Sequence, residues 1–320
     1  MLQYYGDTVS ICIFLITALC AAVYFFTWFL SHKPRAVHPS ELKYTTLSSG
    51  GDLPDLLTTP AEIAISVVVP CYNEEERLPL LLQDAITFLF ANFQDSWEII
   101  IVDDGSKDRT REVALNGAEK LGAGSHLRYT KLVSNRGKGG AVTHGVKVAR
   151  GALILFADAD NASDFAGLKD LENAVSQSSG PAAIAIGSRA HLVNTSQVIK
   201  RTKMRNFLMR CFHLLVYWFG IRTIRDTQCG FKLYTRDAAQ KIFPYMHTEG
   251  WIFDVETLVI AMRKSIPIYE IPISWHEVDG SKIDLTRDSI KMAIDLIVIR
   301  FAYLLGIYND GSREEIRKKQ

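Results

Sequence analysis

Asp158 and Asp160 stand one residue apart at the end of the apolar run Leu153-Ile154-Leu155-Phe156-Ala157. Residues i and i+2 of a strand project to the same face, so both carboxylates can share one site where the chain leaves a sheet. A hard cation such as Mg²⁺ or Mn²⁺ is held by one or two carboxylates together with substrate phosphates. The pair therefore suits nucleotide-sugar chemistry, although Asp is also a common turn residue after a strand. The elements that must stand beside it decide between the two.

Short apolar runs at 65–69, 99–102, 127–133, 152–156 and 182–186 alternate with helical patterns near 78–90, 109–121, 140–149 and 165–177. Runs apolar on both faces, alternating with helices, predict an α/β fold: a mostly parallel sheet with helices on both faces. Ligands in such sheets bind at the carboxyl ends of the strands. The chemically distinctive residues fall there: Tyr72, Asn73 and Glu74 after the first run, Asp103 and Asp104 after the second, Asn135 to Lys138 after the third, Asp158 and Asp160 after the fourth, and Ser188 and Arg189 after the fifth. Asn135-Arg136-Gly137-Lys138-Gly139-Gly140 precedes a helix, where backbone N–H groups and the dipole suit an anion. Its spacing is not that of a Walker A loop, and no Gly-x-Gly-x-x-Gly follows Val69, which excludes a dinucleotide-binding dehydrogenase.

Thr8 to Leu30 contains no charged residue and is long enough to cross a bilayer as a helix. Asp7 precedes it and His32, Lys33 and Arg35 follow it, unlike the basic start of a signal peptide, and the positive-inside rule places the downstream chain in the cytosol. Residues 1–33 are thus expected to be a lumenal N-terminus and anchor, 34–62 a linker, and 63–320 one folded domain. The five cysteines show no close pairing pattern, against a disulfide framework or a zinc site. The net charge of +1 gives no sign of a nucleic-acid partner, and self-association is left open. From Asn173 to Arg225 there is no acidic residue, while Arg189, Arg201 and Arg205 fall inside that window. Membrane-surface amphipathic helices are expected near 200–220 and 285–306.

Val67 to Glu74, Ile101 to Ser106 and Phe156 to Asp160 resemble the first strand, the nucleotide-side aspartates and the metal-binding pair of the inverting family-2 glycosyltransferases with the GT-A fold. Asp226 to Lys232, Gly250 to Glu256 and Trp275 with Gly280-Ser281-Lys282 are similar to the dolichyl-phosphate β-glucosyltransferases of the endoplasmic reticulum. The resemblance covers essentially the whole chain. It implies a Rossmann-like GT-A domain facing the cytosol from a single-pass endoplasmic reticulum anchor. The implied activity is inverting transfer of glucose from UDP-glucose to dolichyl phosphate, yielding a lipid-linked glucose donor for N-glycan precursor assembly.

By that resemblance Pro70 and Tyr72 would lie at the uracil, Glu74 and Asp104 at the nucleoside, and Asp103 behind their loop. Arg136, Lys138, Asp158, Gln228 and Trp251 would line the nucleotide-sugar, and Asp158 with Asp160 would hold Mg²⁺ or Mn²⁺. Asp226, Lys232 and Asp254 would occupy the catalytic position, with Glu256 beside the sugar. Arg189, Arg201, Arg205, Ser281 and Lys282 are the candidates for gripping the acceptor phosphate, because Arg holds phosphate with two donors. Dolichyl phosphate, a phosphate monoester with a second pKa near 6, is already a nucleophile at neutral pH, so Asp226 need only orient Lys232 or sugar hydroxyls. A mannosyl- or other polyprenyl-phosphate glycosyltransferase of the same fold, and a non-catalytic membrane-tethered nucleotide-sugar binder, are the alternative readings.

Overall fold

The computed structural model describes residues 2–192, 214, 221, 224–278 and 285–312. Helix α1 (Leu2–Leu30) includes Ser10–Leu30, a stretch long and apolar enough to cross a membrane. Ile11, Phe14, Leu19, Phe25 and Phe29 on it are exposed instead of packing on the body. The expected basic amphipathic helix near 200–220 lies outside the described residues.

The sheet is built from β1 (Lys43–Thr45), β2 (Gly50–Asp52), β3 (Ile63–Cys71), β4 (Trp97–Asp103), β5 (Leu127–Lys131), β6 (Gly151–Ala157), β7 (Ile184–Ser188), β8 (Phe231–Thr235) and β9 (Ile268–Pro272). Their order is β2-β1-β5-β4-β3-β6-β8-β7-β9. The centre, β5-β4-β3-β6, is parallel, as the alternating pattern predicts. Strand β8 inserts antiparallel between β6 and β7, which no hydrophobic period announces. Side chains alternate between two cores: Val67, Val69, Ile99, Ile101 and Leu155 face one, Val68, Ile100, Val102, Ile154 and Phe156 the other. The first core is closed by α2 (Leu78–Phe93), α3 (Thr110–Lys120) and α5 (Leu168–Ser176). The second is closed by α4 (Lys138–Lys147), α6 (Arg236–Ile242), α7 (Phe253–Arg263) and α8 (Leu285–Leu304), the last at the expected surface-helix position.

Residues 34–62 differ from the expected linker. A 3₁₀ turn at Pro39–Leu42 and the β1–β2 pair extend the sheet edge, with Thr45 opposite Tyr129 of β5. Glu41 is 1% exposed, and its carboxylate accepts N–H bonds from His38 at 3.0 Å and Val133 at 2.9 Å. Leu53 and Leu56 join the core. Such short segments, held by side-chain hydrogen bonds, carry no periodicity for sequence patterning to read.

Arg236 completes this docking from the start of α6. Its guanidinium donates to the carbonyls of Leu56 (3.1 Å), Thr59 (2.5 Å), Ala149 (3.0 Å) and Gly151 (3.2 Å). It is 8% exposed, and burial lowers its pKa. Arg236→Met leaves those carbonyls without their donor, and buried unsatisfied groups cost about 1–3 kcal/mol each. Denaturant unfolding should show a loss of at least that order, and limited proteolysis should open the chain at 53–59; unchanged stability and protection would refute the clamp.

Candidate active site

Asp158 and Asp160 leave β6 at the carboxyl edge of the parallel strands. The Lys138 ammonium, in the first turn of α4, lies 2.7 Å from Asp158 Oδ1 and 5.2 and 5.6 Å from the centres of the Phe156 and Trp251 rings. Burial would weaken that ammonium, but Asp158, Asp254 and Asp160 outweigh it and raise its pKa. Burial and the Asp158 charge raise the Asp160 carboxyl. Lys138 and Arg77 are the cations that act on both acids, and the hard oxygen donors of Asp158 and Asp160 fit a divalent cation. Among the described residues no group of three or more His, Cys, Asp or Glu could hold a metal, so phosphate oxygens and water would complete its sphere. Gly230 packs on this pair: a Cβ there would lie 1.8 Å from Asp158 Oδ2.

Asp226 and Arg189 meet at the neck of the chain between β7 and β8. Arg189 donates to Asp226 from its backbone N–H (2.9 Å), Nε (2.7 Å) and Nη2 (2.8 Å). Burial would raise the Asp226 carboxyl, but this fork lowers it, so it is a weak base. Glu270 of β9 braces the neck, accepting from the backbone N–H of Arg225 (3.0 Å) and Asp226 (2.9 Å) and from Ser188 Oγ (2.7 Å). Lys232 does not pair with Asp226 as the sequence suggested. It has no exposed surface, and its ammonium bonds to Asp254, itself 3% exposed, and to the Cys229 carbonyl at 2.7 Å. Neither end of that pair is open to a substrate, because an apolar interior admits such charges only in close pairs. Arg189, an acceptor-phosphate candidate, is engaged by Asp226 and stands 5.5 Å from the Trp275 ring centre.

On the nucleotide side, Tyr72 is 38% exposed beyond β3 and its Pro70, and Asn73 turns the chain at φ +55°. Glu74 faces Arg77 in a two-point bond of 2.7 and 2.8 Å. Asp103 accepts from Ser106 N–H at 2.7 Å and from the Tyr129 hydroxyl. Asp104 differs from expectation. Its carboxylate accepts the N–H groups of Arg136 (2.6 Å) and Gly137 (2.8 Å), and burial still pushes its pKa up to about 6. Gly140 N–H donates to the Glu249 carbonyl at 3.0 Å. The predicted anion cradle at α4 thus holds an anion from this chain, Asp104. Its glycines serve close packing: a Cβ on Gly139 would lie 2.5 Å from Phe253 Cβ. Arg136 is likewise not free for a diphosphate, since its guanidinium binds Glu41 at 2.8 Å and two carbonyls of the segment after α1.

Gln228 reaches the Met292 sulfur on α8 at 3.3 Å. Trp251 borders Lys138, whereas Glu256 is fully buried and binds Thr248, His247 and the Tyr303 hydroxyl. Arg201, Arg205, Ser281 and Lys282 lie outside the described residues. Sequence reading missed Arg77 and Glu270; the Glu74–Arg77 spacing at a helix start was the available signal for the first, and β9 offered none for the second. Gly230→Ala should push the Asp158 carboxylate from its place, and misplacement by about 1 Å can cost about 100-fold in rate. A folded variant, judged by circular dichroism, with undiminished transfer activity would show that Asp158 is not used where it stands.

A sequence profile of the family described as glycosyl transferase family 2 matches residues 66–243. The dolichyl-phosphate beta-glucosyltransferase of Saccharomyces cerevisiae is 52% identical, spanning 93% of this chain and 95% of its own length. The Homo sapiens protein of that name is 42% identical over 86% of this chain and 87% of its own. A solved structure of glucosyl-3-phosphoglycerate synthase from Mycobacterium tuberculosis, in complex with Mn²⁺, UDP-glucose and glycerol 3-phosphate, shares the fold at a TM-score of 0.53 and 15% identity, covering 77% of this chain and 82% of that one. With its profile match and relatives alike nearly end to end, the chain belongs to glycosyl transferase family 2 and, within it, to the dolichyl-phosphate beta-glucosyltransferases.

Proposed function

We propose that the chain transfers glucose from UDP-glucose to dolichyl phosphate with inversion, giving dolichyl β-D-glucosyl phosphate. The observation that carries this reading is the near end-to-end likeness to relatives of that name. The acid pair at the carboxyl edge of the sheet suits the donor, and the Mn²⁺ and UDP-glucose of the mycobacterial fold neighbour support it.

Asp158 and Asp160 would hold a divalent cation, Mg²⁺ or Mn²⁺, which would supply Lewis-acid neutralisation of the diphosphate that leaves. Lys138 adds a fixed positive charge beside those acids, kept protonated by its carboxylate neighbours. Tyr72, exposed beyond β3, is placed to lie against the base, with Asp103 and Asp104 holding its surroundings in shape. Trp251 walls the sugar beside Lys138. The acceptor phosphate, a dianion at neutral pH, attacks from the face opposite the diphosphate, which turns an α-linked glucose into a β-linked one. No protein base is needed for that attack, and Asp226 is poorly suited to be one. It holds Arg189 in a fork, so that the guanidinium is preset for the acceptor phosphate.

The lipid acceptor requires a membrane, and two features suit one. Helix α1 is the membrane span, with His32, Lys33 and Arg35 marking its cytosolic end in the endoplasmic reticulum. Ile290, Ile294 and Ile297 of α8 are exposed, as on a helix seated at a bilayer surface.

The direct test is radiolabel transfer by detergent-solubilised protein to dolichyl phosphate from UDP-glucose, GDP-mannose and UDP-N-acetylglucosamine, each with and without EDTA. EDTA-sensitive labelling from UDP-glucose alone is expected; labelling from another donor would replace the substrate, and none at all would favour a non-catalytic binder. Asp226→Asn should raise the apparent KM for dolichyl phosphate while leaving the shape of the pH–rate profile intact; a vanished limb would make Asp226 a base after all. Its lowered carboxyl also stabilises the fold above its ordinary pKa of 3.8, an effect lost as pH falls through the still lower folded value. The stability gap between the unsubstituted chain and Asp226→Asn should therefore be full at pH 6 and narrow below about pH 4 in thermal melts.

A further inference from the structure

Residues 32–36, where the chain leaves α1, are bonded into the body at both ends. At one end His32 N–H donates to the Tyr308 hydroxyl at 2.6 Å, and its Nε2 lies 3.0 Å from Asp295 of α8. At the other, Arg35 donates to Glu249 from its backbone N–H (3.2 Å) and its Nε (2.7 Å), and from Nη1 to the Asn135 carbonyl (2.9 Å) and Ser134 Oγ (3.3 Å). Arg136 reciprocates, donating to the carbonyls of Arg35 (2.9 Å) and Ala36 (2.6 Å).

The partners of Arg35 are the supports of the donor side of the site. Asn135 Nδ2 donates to the Asp104 carbonyl at 3.0 Å, and the next two N–H groups hold the Asp104 carboxylate. The Glu249 carbonyl takes the Gly140 N–H in the first turn of α4, which carries Lys138, and Trp251 follows two residues on. One side chain thus joins the membrane-helix exit, the 134–136 loop and the 249–251 loop.

We propose that Arg35 is a positioning residue for the nucleotide-sugar site, bracing the Asn135–Lys138 and Glu249–Trp251 segments against each other from the end of the membrane helix. This rests on the proposed donor chemistry. Arg35 and Glu249 are 44% and 19% exposed, and an ion pair so placed contributes little to stability by itself. The effect of Arg35 is on placement, because its bonds converge on two loops that no strand pairing fixes. Membrane anchoring and donor-site geometry then become parts of one structure.

The test compares Arg35→Ala, Arg35→Lys and a Lys33→Ala control in the full-length chain, assaying both substrates and following amide hydrogen exchange. Arg35→Ala should raise the KM for UDP-glucose by about tenfold, the size of losing one hydrogen bond to a charged group, with the KM for dolichyl phosphate unchanged. Arg35→Lys should recover part of that loss, and Lys33→Ala should match the unsubstituted chain. Amides at 134–140 should exchange faster in Arg35→Ala while those of β3 and β4 stay protected. An unchanged UDP-glucose KM, an equal rise for both substrates, or unchanged exchange at 134–140 would overturn the proposal. Absence of UDP-glucose transfer by the unsubstituted chain would instead overturn the functional reading, and the exchange data would still decide whether the brace exists.

Discussion

Lys232 is an ammonium with no surface exposed to water, and its charge is tolerable only because Asp254 and the Cys229 carbonyl meet it there. Removing one member of such a pair leaves an uncompensated buried charge, a change that costs about 3–5 kcal/mol. That requirement fixes more than two residues. It pins β8 to the first turn of α7, and through them the Asp226–Gly230 loop to the Gly250–Phe253 loop. Lys138 continues the alternation of signs outward, lying between Asp254, Asp158 and Asp160 in its electrostatic surroundings. The open part of the site is the solvent-facing end of a charge lattice whose inner end is sealed.

Such a lattice also accounts for the division of labour among the acids. Asp158 and Asp160 are only partly buried and have Lys138 and Arg77 as cationic neighbours, and their hard oxygens suit a cation. Asp226 and Glu256 are satisfied by protein donors that lower their carboxyls, which makes them poor proton acceptors, while Asp254, raised by burial, is sealed against Lys232. A phosphate acceptor that is already ionised makes this workable, since the chain must bring together charged groups and neutralise the leaving one without also providing a base.

The parallel centre of the sheet was legible in the sequence because Val67 to Val69, Ile99 to Val102 and Ile154 to Phe156 bury both faces and leave continuous apolar runs. The acid pair was legible because side chains two apart in a strand share a face. What stayed hidden depends on who pairs with whom. Phe231 to Thr235 contains the fully buried Lys232 in an otherwise unremarkable run, so its insertion as the antiparallel β8 could not be read. The glycines at the start of α4 pointed to an anion, and the anion held there is Asp104; the glycines themselves permit contact with the Glu249–Phe253 segment. The β1–β2 edge was invisible because Glu41 and Arg236, not an apolar period, attach it.

The Arg189–Asp226 fork closes a neck: the chain leaves the sheet after β7 and returns just before β8, with the two departing ends held by one guanidinium and Glu270 beneath. Of the residues between them, Ile221 and Ile224 are buried in the second core. The neck therefore does more than join two ends: with Ile221 and Ile224 seated in the second core just before it, the return to β8 is fixed by packing as well as by charge.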